Sequence, residues 1–219
     1  MTNDSNISRR RKSALRDGKE EYAAKRAELV EIAARLFREK GYQATRLADI
    51  AAAAGLDRAS VYYYVGSKEE LFRTSVEGIL DQNLQSAAEI EARSDIGVAD
   101  KVRQIFAVLM RSYEESFPHM YVYIQEQMHQ VAKDDSAWSQ EMLRKTRRFE
   151  ALVIELLNRG IENKELRGDI PVRLLSNALF GMFNWTHRWY VPGRALSCDK
   201  VADAFVSIFL DGVVADRSE

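Results

Sequence analysis

The sequence predicts an all-α protein of about nine helices, and three observations carry that expectation. Apolar residues recur at three- and four-residue spacing along most of the chain, which is the period of one helix face. Helix-breaking residues are scarce, with 3 Pro and 11 Gly in 219 residues, while the strong helix formers Ala, Leu, Glu and Arg are abundant. No segment alternates apolar and polar residues between hairpin turns, so no sheet is expected.

Residues 1 to about 20 lack apolar periodicity and are rich in Ser, Asn, Arg and Asp, which predicts a disordered arm. Its basic run Arg9, Arg10, Arg11 and Lys12, followed by Arg16 and Lys19, reads either as a solvated tail or as an arm that touches DNA phosphates or a minor groove. A first helix begins near Tyr22, carries Leu29, Ile32, Ala33, Leu36 and Phe37 on one face, and stops at Gly41. Thr45 is placed to cap a second helix with Leu47, Ile50, Ala51 and Ala54 inward, ending at Gly55. Asp57 is placed to cap a short third helix from Arg58 to Tyr64, with Val61 and Val65 inward. Ser67 with Glu70 three positions on forms a capping-box signature for a fourth helix carrying Leu71, Phe72, Val76, Ile79, Leu80 and Leu84.

The pattern breaks around Ser94–Gly97 and resumes with Val98, Val102, Ile105, Phe106 and Leu109. Pro118 opens another segment, proline being tolerated in a first helical turn. A long helix after Asp135 turns Trp138, Met142, Phe149, Val153, Leu156 and Leu157 inward, and Gly168 closes its trailing loop. Pro171 opens a helix to about Tyr190, stopped by Pro192 and Gly193, and Ser197 caps a last one carrying Val201, Phe205, Ile208, Phe209 and Val213.

The second and third helices, three residues apart, have the build of a helix-turn-helix. Ala51 to Ala54 allow close crossing over the third helix, and Gly55 supplies a left-handed turn residue that a side chain adopts at a cost of about 1 kcal/mol. The third helix exposes Arg58, Ala59, Ser60 and Tyr63, a set that fits a major groove, with Tyr62 and Tyr64 beside them. The competing reading makes the three tyrosines ordinary core. The net charge of -1 is unevenly spread, at +3 over residues 1–70 and -4 over the remainder. That asymmetry has the sign expected of a DNA-binding N-terminus.

Gly41-Tyr-Gln-Ala-Thr-Arg-Leu-Ala-Asp-Ile-Ala, followed by Ala54-Gly-Leu-Asp-Arg-Ala-Ser-Val-Tyr-Tyr-Tyr-Val-Gly-Ser-Lys-Glu-Glu-Leu71, closely resembles the TetR family of repressors over about Glu28 to Leu71. The resemblance implies phosphate contacts from Thr45, Tyr62 and Lys68, and base reading by Arg46, Arg58, Ser60 and Tyr63. Val65 stands where the family usually has Phe and keeps an apolar packing role. The implied organisation is a disordered basic arm over 1–20, a three-helix DNA-binding domain over 21–70, and a helical ligand-binding and dimerisation domain over 71–219. The implied partners are double-stranded operator DNA with palindromic half-sites, a second copy of the chain, and a small-molecule effector.

The last two helices, around 174–190 and 201–214, are where TetR-like chains pair, and the small residues Ala178, Gly181, Ala202 and Ala204 would permit close approach. The other reading packs these helices only within one subunit. The effector pocket is expected among the middle helices at Phe106, Tyr113, Tyr121, Trp138, Arg148, Phe149, Trp185, Arg188 and Trp189, although aromatic residues at helical spacing usually build core. Phe183-Asn-Trp-Thr-His-Arg-Trp-Tyr-Val-Pro-Gly193 more loosely resembles TetR-like regulators that respond to acyl-CoA thioesters of lipid or steroid breakdown. Arg144, Lys145, Arg147, Arg148 and Arg188 could meet CoA phosphates or form a solvated face.

Other chemistry is not expected. His119, His129 and His187 lack the spacing of a metal pair, Glu126 and His129 make one Glu-x-x-His step without its second copy, and no phosphate loop or serine elbow appears. No cofactor, catalysis or membrane contact is expected, and the expected compartment is the cytoplasm, with a single cysteine, Cys198, unable to form an internal disulfide. The leading expectation is thus a dimeric repressor released by a small hydrophobic ligand such as an acyl-CoA. The alternative is a DNA-binding regulator controlled by a protein partner with no small ligand.

Overall fold

The computed structural model describes residues 4–76, 78–126 and 137–213, with the side chains of 4–17, Arg58 and Glu126 outside that description. Two compact units divide the chain, residues 1–75 and 76–219. Among the described residues every regular element is helical.

In the first unit, α1 spans Asp4–Lys40, α2 Leu47–Ala53, α3 Arg58–Tyr64 and α4 Lys68–Val76. Leu29, Ala33 and Phe37 of α1, Ile50 and Ala51 of α2, Val61 of α3 and Val65 just after it, and Leu71 and Phe72 of α4 are buried together as one core. Each large apolar side chain so buried stabilises by about 1.5–3 kcal/mol relative to exposure. The Phe37 ring packs edge-on against Tyr42 at 5.0 Å and Phe72 at 6.4 Å, tying α4 to α1. That contact explains why the unit boundary falls inside α4, after Ser75, and not at residue 70.

Two differences from the sequence reading concern ends of helices. The helix α1 extends back to Asp4, where a disordered arm is expected. Arg, Lys, Ala and Leu are all good helix formers and fill most of residues 9–16, so helix continues there without an apolar stripe. The N-cap of α2 is Arg46 and not Thr45, with the Arg46 backbone amide donating to Asp49 Oδ2 at 2.8 Å. Asp57 caps α3 as expected, accepting from the Ser60 amide at 2.7 Å.

In the second unit, α5 spans Ile79–Glu91, α6 Val98–Glu115, α7 His119–Glu126, α8 Ala137–Glu162, α9 Val172–Trp185 and α10 Cys198–Val213. The single helix expected over residues 68–84 is two, divided at Gly78, whose φ of 87° lies in the left-handed region. That division accounts for ten α-helices among the described residues where about nine are expected. Central in this unit, α6 packs against α5, α8, α9 and α10 and buries Val102, Ile105, Phe106, Leu109, Met110 and Tyr113. The helix expected to reach Tyr190 ends at Trp185. There the Thr186 hydroxyl donates back to the Met182 carbonyl at 2.9 Å, and a 3-10 turn, Thr186–Arg188, follows. Such back-bonding competes with the regular helix ladder.

Candidate functional site

The α2–α3 pair presents one exposed face, and its chemistry follows from what the surrounding residues leave free. Val61 on α3 and Val65 at its C-cap are buried, and the helix turns Tyr62 and Tyr63 to solvent at 49% and 71% exposure. The Tyr63 ring meets Tyr22 and Tyr64 edge to face and still leaves most of its surface to solvent. Arg46 is exposed at the start of α2, and Ser60 is half-buried on α3. Arg58 begins α3, with its side chain outside the described set. Tyr62, Tyr63 and Arg46 thus offer phenols and a guanidinium suited to phosphate oxygens and base edges.

Thr45 and Lys68 are used differently from the sequence expectation. Thr45 is fully buried, its hydroxyl donates to the Gly41 carbonyl at 2.8 Å, and its amide donates to the same carbonyl at 3.2 Å. Its polar groups close the α1–α2 turn, so its side chain is not available to a phosphate. The Lys68 ammonium donates to the carbonyls of Tyr42 at 2.9 Å, Thr45 at 3.1 Å and Gln43 at 3.3 Å, and it lies 4.5 Å from the Tyr42 ring centroid. An ammonium has three protons, and all three are directed at that turn. Lys68 therefore fixes the turn that presents Arg46, with its charge still near the exposed face.

Two residues of α1 brace the helices around this face, Tyr22 against α3 and Arg26 against α4, and neither stands out in the sequence. Tyr22 donates its hydroxyl to the Tyr64 carbonyl at 3.2 Å and stacks within 5.2 Å of the Tyr64 ring. One turn later, Arg26 donates to Glu70 Oε1 at 2.8 Å and to the Thr74 hydroxyl at 3.1 Å, while Glu70 Oε2 accepts from the Gly66 amide at 2.8 Å. Arg26 first, then the Gly66 amide, hold the Glu70 carboxyl below its ordinary range. Ser67 makes half of the expected capping box, accepting from the Glu70 amide at 3.1 Å.

The second unit contains a cavity of about 190 Å³ lined from α5, α6, α7, α8 and α9. Leu80, Leu109, Met120, Ile124, Phe180 and Phe183 make it largely apolar, and Asn83, Tyr123, Thr146 and Asn184 add polar atoms. Tyr123 is 2% exposed and its hydroxyl, beside Thr146, makes no hydrogen bond of normal geometry. Burial pushes that phenol upward from its ordinary pKa. A buried hydroxyl in this state costs about 1–3 kcal/mol unless something in the cavity bonds it.

Of the nine aromatic and basic residues expected to form a pocket, Phe149 lines this cavity. Phe106 and Tyr113 are core, packed against Phe183, Phe205 and Tyr190. Tyr121 is half-buried beside Phe117 and His187, and Trp138 is half-buried at the start of α8. Arg148, Trp185, Arg188 and Trp189 are exposed, with the Arg188 guanidinium 5.0 Å over the Trp185 ring. Aromatic periodicity does not distinguish a residue facing a void from one facing a neighbour. Among the described residues no group of three or more His, Cys, Asp or Glu side chains could hold a metal ion, and the Glu126–His129 step falls partly outside them. No helix there is long and apolar enough to cross a membrane.

Comparison with known proteins agrees with both units. Residues 29–74 match the model of bacterial regulatory proteins of the tetR family, and residues 95–213 match that of the tetracyclin repressor-like C-terminal domain. The chain is 33% identical over 199 residues to the HTH-type transcriptional repressor KstR2 of Rhodococcus jostii, covering 90% of this chain and 94% of that one. It superposes on the ketosteroid transcriptional regulator KstR2 of Mycobacterium tuberculosis with a TM-score of 0.79 at 26% identity, covering 87% of this chain and 95% of that one. At 17% identity and a TM-score of 0.68, covering 84% of this chain and 97% of that one, it shares its fold with AibR, solved in complex with isovaleryl coenzyme A and operator DNA. With an exposed α3 in one unit and matches running through both, this chain belongs to the TetR family of transcriptional repressors and is similar to the KstR2 repressors within it.

Proposed function

We propose that two copies of the chain bind a palindromic operator, each inserting α3 into a major groove, and that a small, mostly apolar ligand entering the α5–α9 cavity releases them. The observation that carries the DNA reading is α3 itself, with Tyr62 and Tyr63 exposed beside Arg46 while Val61 and Val65 anchor the helix. Arg46, Arg58, Ser60 and Tyr63 are assigned to bases and Tyr62 to phosphate. Lys68 and Thr45 support that face through the α1–α2 turn.

The ligand class we propose is a CoA thioester of a lipid- or steroid-derived acid. The KstR2-like relatives support the acid's origin, and AibR supports the capacity of the fold for a CoA thioester. The cavity of about 190 Å³ is below the roughly 300–1,000 Å³ of sites that enclose a whole drug-sized ligand. It therefore suits the acyl end alone, with Tyr123 donating to a carbonyl or hydroxyl oxygen there. The helix α8 that supplies Lys145 and Phe149 also carries the exposed Arg147 and Arg148, which are assigned to the phosphates outside.

A duplex selected by the wild-type protein from a randomised pool gives the probe. Anisotropy with that duplex should show binding that weakens steeply with salt, and a panel of acyl-CoA thioesters should contain one that releases the DNA and raises the melting temperature. A ligand at 100 times its Kd stabilises by about 2.7 kcal/mol. Failure to select any duplex overturns the operator reading. Selection without release by any thioester overturns the ligand class and favours control by a protein partner.

A further inference from the structure

We infer that Tyr22 of α1 is a positioning residue for DNA reading, holding the Tyr63 ring and the end of α3 in the conformation that meets a base edge. The inference rests on the operator reading above and adds contacts of Tyr22 that the reading does not use. Tyr22 and Tyr63 lie 41 residues apart in sequence, and their rings meet at 5.5 Å, nearly perpendicular at 84°. The Tyr64 ring meets Tyr63 from another side at 5.0 Å and 85°. Tyr63 is thus edged by two rings while 71% of it remains exposed.

The backbone gives the second reason. A helix of seven residues leaves its last carbonyls without helical partners. The Tyr22 hydroxyl, directed at both the Tyr64 carbonyl at 3.2 Å and the Tyr63 carbonyl at 3.4 Å, supplies the missing donor. Arg26, on the same face of α1 one turn on, fixes the Gly66–Glu70 segment immediately after α3 through Glu70. The α3 helix is therefore held at its C-terminal end by α1. A tyrosine side chain with two free torsions, left to solvent, would lose that freedom on binding DNA. Holding it in place beforehand removes part of that cost.

The test uses the full chain and two readouts. With 3-fluorotyrosine at position 63, the fluorine resonance of the DNA-free protein should move toward the free amino acid value in Tyr22→Leu and by a smaller amount in Tyr22→Phe. With the pool-selected duplex and a scrambled duplex of equal composition, Tyr22→Leu should weaken selected-duplex binding about tenfold, as expected for loss of two aromatic pairs. Scrambled-duplex binding should stay within about twofold, because phosphate contacts are untouched. Tyr22→Phe, which keeps the ring and loses the hydroxyl, should lose an intermediate amount and serves if Tyr22→Leu does not fold. In a Tyr63→Phe background the effect of Tyr22→Leu should persist, and in Tyr63→Ala it should shrink to under about twofold. An unmoved fluorine resonance overturns the inference even if the operator reading holds, as does equal weakening on both duplexes. Absence of any selected duplex overturns the operator reading, and the fluorine result then stands on its own as to whether Tyr22 fixes Tyr63.

Discussion

Thr45 and Cys198 show how a side chain's surroundings decide its chemistry. Thr45 has both its hydroxyl and its amide directed at the Gly41 carbonyl, so Thr45→Val, which keeps the shape and removes the hydroxyl, should cost about 1 kcal/mol of stability. Operator affinity per folded molecule should be unchanged, measured by anisotropy well below the melting temperature; a selective loss of affinity would restore Thr45 as a DNA contact. Cys198 is buried and donates to Glu114 Oε2 at 2.9 Å, while Tyr190 donates to Glu114 Oε1 at 2.6 Å. Burial first, then the Glu114 carboxylate, push the thiol up to about 12. The thiolate is the reactive form, so Cys198 should resist iodoacetamide at neutral pH until the protein is denatured. The same pair holds Glu114 below its ordinary value of 4.5, the Cys198 thiol contributing first and the Tyr190 phenol second. A carboxyl with a depressed folded pKa stabilises above its ordinary value, and the contribution is lost as pH falls through the folded one. The stability gap between wild type and Glu114→Gln should therefore be widest near neutrality and close as pH drops below 4.5.

At the scale of elements, Gly160 marks where α8 meets the start of α6. A β-carbon there would lie 2.8 Å from Leu166 Cδ1 and 2.9 Å from Val98 Cγ1, and the Gly160 carbonyl accepts from the amides of Glu165 and Leu166. Glu165 then caps α6 by accepting from the Val98 amide at 2.8 Å. Gly160→Ala should cost roughly 1–3 kcal/mol by overpacking, read as a lower denaturant midpoint at unchanged slope. None of this is legible in the sequence, where Gly160 is an ordinary residue inside a helical pattern and Glu165 is one charge in a loop. What periodicity reports is which residues of a helix face inward, and Leu29, Phe37, Val61, Phe106 and Leu157 are all buried where it places them. Caps chosen by local chemistry divide similarly. Asp57 and Ser67 bond to amides of their own helices, whereas Thr45 is drawn away by the end of α1. The exposed face of α3 is legible because Val61 and Val65 set the buried side and leave Tyr62 and Tyr63 outward, while Tyr22 and Arg26 act across 41 or more residues, beyond the reach of a local pattern. The cavity was least legible, since a void is a property of five helices together.

For the whole molecule, the face that remains is the outer surface of α9 and α10. Leu174, Ala178, Gly181 and Trp185 succeed one another at four, three and four residues on α9 and are all exposed. On α10 the exposed Ala204, Ile208 and Gly212 repeat every four residues. Ala202, grouped with these small residues in the sequence reading, is buried instead. A β-carbon built on Gly181 or Gly212 meets nothing within 4 Å, so these glycines are not needed for packing within the subunit. Ile208 at 67% exposure and Leu174 and Trp185 at 58% place an apolar surface in water, which a monomer rarely tolerates as a contiguous patch. Small residues between large ones let two helices approach closely, and a second copy of the same face is the occupant that the proposed palindromic operator would require. Ile208→Glu should therefore convert a dimer to a monomer by sedimentation while preserving helix content and the buried core. Operator affinity should fall by much more than twofold, because the two reading heads no longer bind as one molecule and the gain of linked binding is lost. If Ile208→Glu remains dimeric, or if the monomer binds the selected duplex as tightly as the wild type, pairing through α9 and α10 is not how this repressor holds its operator.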